Sequence, residues 1–211
     1  MAFDKNSIGK AVHAALEAGR GKRKFTQSVD IAVNFGAVDF SKPENRINVE
    51  VPMPFACRKQ KVAVFADGQT VTEAKAVADL VITSSEVASY ASDKAKQAVL
   101  LEHATLATSQ LMATVGKALG PVLSKRNRLP KPILPNSNLK DLVDRARRGV
   151  TVRSKGKNLP VVHCIVGKED MPEEHIVENI LAVLEAIFRK INESQVSSVF
   201  VKTTMGSAFK V

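Results

Sequence analysis

Near the C-terminus, Thr203-Thr204-Met205-Gly206 places two hydroxyls, a thioether and a residue without Cβ in a row. Each hydroxyl both donates and accepts a hydrogen bond. The glycine lets another backbone approach closely or lets φ turn positive. Such a set makes a poor core and suits phosphates and ribose hydroxyls. A polar turn after an ordinary C-terminal strand would use the same residues. Three basic clusters accompany it: Arg20-Gly21-Lys22-Arg23-Lys24 beside Phe25, residues 125–131, and Arg153 with Lys155 and Lys157. Cations fix phosphates, while hydroxyls and exposed backbone read 2′-hydroxyls and RNA shape. Each cluster taken singly is also what a solvated surface contains. One tyrosine and no tryptophan argue against a stacking platform for single strands, so structured RNA is favoured.

Enzyme chemistry finds less support. Neither G-x-G-x-x-G nor G-x-x-x-x-G-K-[ST] occurs. The stretch from Lys61 to Gly68 resembles the first strand of a nucleotide fold but carries a single glycine. His13, His103, His163 and His175 lack ligand spacing, and Cys57 and Cys164 are far apart, so neither a metal site nor a cofactor is expected. Adjacent His163 and Cys164 point to opposite faces of a strand, which defeats a reactive pair. No catalysis is expected.

The net charge of +10 and a pI near 9.7 point to a polyanionic partner, nucleic acid or an anionic membrane. No apolar run approaches the roughly 20 residues of a membrane span, and the N-terminus lacks a secretory apolar region. No basic amphipathic helix with aromatic anchors is present, which disfavours the membrane. Two isolated cysteines suggest free thiols in a reducing cytoplasm, with a disulfide left open.

These residues need elements to position them. Ile8, Val12, Ala15 and Leu16 predict a helix over 6–18, ending at Glu17. Val29, Ile31 and Val33 alternate with polar residues in a strand over 25–34, and Ile47, Val49 and Val51 do so over 46–52. The pattern then changes. The nearly continuous apolar run 61–66 suits a parallel strand covered on both faces. Strands at 79–83 and 104–108 alternate with helices at 70–78 and 85–102, which predicts βαβ units. Residues 120–138, rich in cations and proline, read as an extended loop. Asn138 caps a helix that Gly149 ends. A hairpin spans 151–166, and Asp170 with Glu173 signals the N-cap of an amphipathic helix carrying Ile176, Ile180, Leu184, Ile187, Phe188 and Ile191. A last strand holds Val199, Phe200 and Val201.

The predicted fold class is α/β with two domains. Residues 1–58 and 150–211 form a discontinuous α+β domain that holds both termini. Residues 59–149 form an inserted Rossmann-like three-layer α/β domain, which has fourteen Lys and Arg against eight Asp and Glu.

Four spaced motifs then carry a family resemblance: Lys24-Phe25-Thr26-Gln27-Ser28-Val29, Lys42-Pro43-Glu44-Asn45-Arg46-Ile47, Leu129-Pro130-Lys131-Pro132 and Thr203-Thr204-Met205-Gly206. The set resembles the large-subunit ribosomal protein one family, the protein of the mobile stalk at the tRNA exit site, in its archaeal form. The resemblance implies a two-domain protein of the cytoplasmic ribosome, monomeric when free of it. It implies binding to a helical junction of large-subunit ribosomal RNA, help in releasing exit-site tRNA, and repression of the protein's own mRNA. It assigns RNA contacts to Lys24, Phe25, Thr26 and Ser28, to Thr204, Met205 and Gly206, and to Ser198, which lies six residues before Thr204. Glu17, Arg153 and His163 are further matches. Two loops depart from the family, 54–61 without its glycine and 124–128 without Gly-Lys, and both bear on the hinge and on RNA contacts of the insertion. A nucleotide-binding enzyme built on 59–149 is the alternative from another class; it would require saturable mononucleotide binding.

Overall fold

A computed structural model describes residues 4–36, 38–40, 42–58, 60–126, 128–134, 137–154 and 159–211. The chain divides into two compact units, Met1–Arg58 with Arg148–Val211, and Lys59–Arg147. The first segment supplies α1 (Lys5–Gly19), β1 (Ser28–Phe35) and β2 (Asn48–Pro52). The inserted unit runs β3 (Val62–Phe65), α2 (Gln69–Val77), β4 (Leu80–Ile82), α3 (Ser84–Ser92), α4 (Lys94–Glu102), β5 (Ala104–Thr108), α5 (Met112–Lys125), β6 (Lys131–Ile133) and α6 (Leu139–Arg148). The chain returns as β7 (Gly149–Ser154), β8 (Val161–Lys168), α7 (Glu173–Phe188), β9 (Val196–Thr203) and β10 (Ala208–Lys210). Two sheets and seven helices among the described residues make the mixed α/β class that the sequence predicts.

The terminal unit holds an antiparallel sheet in the order β10-β9-β1-β8-β7-β2. Along β1 burial alternates residue by residue: Val29, Ile31, Val33 and Phe35 are buried, while Ser28, Asp30, Ala32 and Asn34 are partly open. That period of two is the mark of a sheet with one dry face. The dry face meets α1 through Ile8, Val12 and Leu16, and α7 through Ile176, Ile180 and Leu184, all in one core. Each such side chain contributes about 1.5–3 kcal/mol when fully buried. Buried Asn179 of α7 ties down the segment after β2: its amide donates to the carbonyls of Phe55 (3.0 Å) and Val166 (2.8 Å) and accepts from the Phe55 N–H (3.0 Å). Pro52 and Gly149 are cross-strand partners, so the chain leaves and re-enters this unit on paired strands.

The inserted unit holds a parallel sheet in the order β4-β3-β5-β6. All four residues of β3 are buried. Val62 and Val64 join a core with Leu139 and Val143 of α6, while Ala63 and Phe65 join another with Leu119 and Leu123 of α5. Coverage on both faces explains the continuous apolar run. Asn138 caps α6 through the Lys140 N–H at 3.1 Å.

Several boundaries differ from the sequence expectations. α1 runs past Glu17 to Gly19, and β1 begins at Ser28, which leaves Lys24, Phe25 and Thr26 in an exposed bend before it. The helix expected over 85–102 is two helices, because Asp93 turns back to accept the Ala95 N–H at 2.9 Å and starts a new one. The expected loop from 120 is helical to Lys125, through Pro121, because Val115, Leu119 and Leu123 bury a continuous stripe. β6 carries Pro132 and lies at a sheet edge, where a missing N–H is tolerated. α7 has Pro172, not Asp170, at its N-cap, with Glu173 and Glu174 in the first turn favouring the helix dipole. The C-terminal strand ends in the polar turn at Thr204-Met205 as expected, and beyond it the chain folds back as β10, which the sequence reading lacks. The turn at Lys155, Gly156 and Lys157, and Asn127 of the basic loop, lie outside the described residues.

Candidate nucleic-acid interface

β1 lies between β9 and β8, so the early and late candidate residues become neighbours: Val29 is opposite Thr203 on one side and Gly167 on the other. Just beyond that pair, Thr204 is locked to Ser28. Its N–H and its hydroxyl both donate to the Ser28 carbonyl, at 3.0 and 3.2 Å, and the hydroxyl accepts from the Ser28 N–H at 3.1 Å. One lone pair of the Thr204 oxygen is left over for a further donor. Met205 is 58% exposed and Phe25 51%, two large apolar side chains within three residues of this junction. Gly206 does not take a positive φ. Its missing Cβ makes room for a side chain and not for another backbone: a Cβ there would strike the Thr203 hydroxyl.

From this corner the open face of the sheet extends across the strands. Arg153, His163, Ala32, Phe200 and Lys210 stand opposite one another, strand by strand, from β7 to β10. The neighbouring row is Ile165, Asp30, Lys202 and Ala208. Burial raises the Asp30 carboxyl, and the charges of Lys202 and His163 pull it back only in part. Ser198, on the far side of Phe200, accepts a hydrogen bond from the Asn34 amide at 2.9 Å. The face is therefore a strip of cations, amides and hydroxyls around Phe200, with Asp30 as its acid on β1. Such a strip can hold phosphates and present donors and acceptors to sugar edges.

Glu17 is exposed on α1, 3.4 Å from His13. His13 also approaches Glu173 of α7 at 3.1 Å, and that hydrogen bond, then the Glu173 and Glu17 charges, raise the His13 pKa. Glu17 thus belongs to a clip between the two helices. The thiols of Cys57 and Cys164 are free and buried, and burial pushes them up to about 11 and about 12. Neither is a thiolate near neutral pH.

Sequence reasoning missed the layer beneath the turn: it gave Gln27 no role and counted Thr203 among the outward hydroxyls, whereas the Thr203 side chain lies in the core. Gln27 and Thr203 are buried, at 1% and 0% exposure. The available signal was phase: Gln27 continues the inward series Val29, Ile31, Val33, and Thr203 continues Val199, Val201.

In the inserted unit a crevice of about 220 Å³ opens beyond the carboxyl ends of β3 and β5. Strand order reverses there, where doubly wound sheets take ligands. Asp67 and Glu73 line it with Thr70, Thr108 and Ser109, and its described lining contains no Lys or Arg. That electrostatics disfavours a nucleotide phosphate. Among the described residues no group of His, Cys, Asp and Glu could hold a metal ion, and no helix is long and apolar enough to cross a membrane.

A family model described as the ribosomal protein L1p/L10e family matches residues 14–207. The chain is 40% identical to the large ribosomal subunit protein uL1 of Archaeoglobus fulgidus, over 100% of both chains. It is 42% identical to that of Pyrococcus abyssi, over 100% of this chain and 98% of the relative. For Methanothermobacter thermautotrophicus the figure is 41%, over 97% and 98%.

Proposed function

The chain belongs to the ribosomal protein L1p/L10e family, and from that premise we propose that its terminal unit binds large-subunit ribosomal RNA at a helical junction of the mobile stalk. The observation that carries the reading is the lock between Thr204 and Ser28, which sets Thr204-Met205-Gly206 beside Lys24-Phe25-Thr26 at one corner of an open, cation-bearing sheet face. Phosphates are held by Lys24, Arg153 and Lys202. Hydroxyl and backbone groups near Ser28, Ser198 and Thr204 meet ribose edges, where RNA differs from DNA. His163 adds a donor on the same face. Met205 and Phe25 supply apolar contact.

The same reading extends to the ribosome. Holding the stalk RNA, the protein assists departure of deacylated tRNA from the exit site. Binding a matching fold in its own mRNA, it represses its own translation. Both roles are non-enzymatic.

The test is a titration of the full chain with an RNA fragment carrying the stalk junction, across a salt series. Nanomolar binding whose logarithm falls linearly with the logarithm of salt is expected. A DNA copy of the fragment binding equally well would sink the ribose role. Slower tRNA loss from ribosomes lacking the protein, and repression of a reporter fused to its own leader, check the two further roles.

A further inference from the structure

Between the exposed turn and the core lies a single amide with partners on three separate segments. The Gln27 Nε2 donates to the Gly19 carbonyl at the end of α1 (2.6 Å) and to the Glu169 carboxylate after β8 (3.2 Å). Its Oε1 accepts from the Met205 N–H (3.0 Å). The Gln27 carbonyl accepts from the Glu169 N–H, also at 3.0 Å. Both partners of Nε2 are acceptors and the partner of Oε1 is a donor, so the amide can sit only one way round. On the other side of the turn, the Thr203 side chain is wedged between Gly19 and Gly206, and a Cβ at either glycine would collide with it. Among the described residues the Thr203 hydroxyl, buried there, has no hydrogen-bond partner. Glycines at both positions are thus a packing requirement of Thr203.

We infer that Gln27, backed by Thr203 between its two glycines, is a positioning residue of the interface: it fixes the Met205-Gly206 turn against α1 and the Glu169 turn without itself touching RNA. The inference rests on the reading of this turn as part of the RNA interface. Thr204 is held independently by Ser28. Loss of the Gln27 amide therefore frees the Met205 N–H, while Thr204 stays on Ser28 and the Gly206 N–H stays on the Thr203 carbonyl at 3.1 Å. The Met205 N–H would lose its acceptor, and the Gly19 carbonyl would keep only the long Lys22 N–H bond at 3.4 Å, which favours an opened turn.

The test uses the full chain carrying Q27M, which keeps length and bulk and removes both hydrogen-bonding ends. Amide exchange in the free protein is read at Met205 and Thr204, and affinity for the junction RNA is read across a salt series, below the melting point of both proteins. Expected are lost protection at Met205, retained protection at Thr204, and at least a tenfold rise in Kd with an unchanged salt slope. An unchanged Kd overturns the inference, and so does a weakened Kd with Met205 still protected. If Q27M does not fold, Q27E is compared with Q27E/E169Q. The double variant exchanges donor and acceptor between 27 and 169, so a carboxylate at 27 accepts from both Met205 and the amide at 169; the donation to the Gly19 carbonyl is lost in both variants alike and cancels in the comparison. It should regain Met205 protection and affinity relative to Q27E, and equality of the two overturns the proposal. Failure of the underlying reading is distinguishable: wild-type protein would not bind the RNA, whereas exchange at Met205 would still respond to Gln27.

Discussion

The two sheets of this molecule solve different problems with similar residues. The parallel sheet of the inserted unit is covered on both sides, so β3 is buried along its whole length and polar chemistry is confined to a crevice at the strand ends. The antiparallel sheet of the terminal unit is covered by α1 and α7 on one side only, so every second residue of β1 faces outward. A sheet with one dry face offers a broad surface whose pattern can be varied without touching the core. A sheet with two dry faces offers almost none. The strip of Arg153, His163, Lys202 and Lys210 lies on the first kind, and the insertion's crevice has carboxylates where a phosphate would need cations.

The sharpest way to break this contrast is to damage each core in turn. Phe65→Ala in the insertion and Ile31→Ala in β1 should cost about 3–5 and about 2–5 kcal/mol of stability. The first should spare RNA affinity at temperatures where the terminal unit stays folded, and the second should lower both; paired melting and binding curves decide. Thr204→Ala should weaken RNA binding by about 1–3 kcal/mol through a desolvated hydroxyl at the contact, and a titration at fixed salt reads it. Removing 59–147 with a short glycine linker should change affinity less than tenfold, about 1.4 kcal/mol. Pro52 and Gly149 are cross-strand partners and the Met53 N–H donates to the Arg148 carbonyl at 3.2 Å, so the linker from Arg58 to Arg148 starts and ends beside a paired stretch. If that deletion folds and fails to bind, the insertion carries the site. Lys202→Ala should leave discrimination between RNA sequences intact and reduce the salt slope by about one.

The smallest effect sets one acid of each unit against the other. Burial raises the folded pKa of Asp30 from the ordinary 3.8. Its ionisation therefore opposes folding, and stability falls as pH climbs from the ordinary value through the raised one. Asp79 behaves oppositely. Burial works to raise it and is outweighed by the Val62 N–H at 2.8 Å and by the Arg147 guanidinium, so its pKa is lowered. Its contribution is present above the ordinary value and is lost as pH falls through the folded one. Asp30→Asn should flatten the terminal unit's acid-side melting profile in one direction and Asp79→Asn the insertion's in the other.

Periodicity conveyed most of the architecture. Val29, Ile31 and Val33 announced a half-covered strand, and the run from Val62 to Phe65 announced a buried one. What stayed hidden was decided by distant packing. Pro121 and Pro132 look like breakers, yet a buried stripe carries α5 through the first and a sheet edge accommodates the second. Asp93 looks like a surface helix residue and instead splits a helix. In the site, hydroxyls and cations drew attention because their chemistry is local. Gln27 did not, because its partners Gly19, Glu169 and Met205 become neighbours only after folding.

The paired exit and return at Pro52 and Gly149 also dictate an order of events during synthesis. β1 sits between β8 and β9, so the first-made strand waits, both edges unpaired, until the last-made segments leave the ribosome. Meanwhile the strands and helices between Lys59 and Arg147 have all been made. Were that segment to fold first, a long loop would become a short bridge, and the entropy cost of closing the terminal unit's sheet would drop accordingly. An insertion that folded first would thereby shorten the time in which β1 is exposed to pairing with the wrong chain.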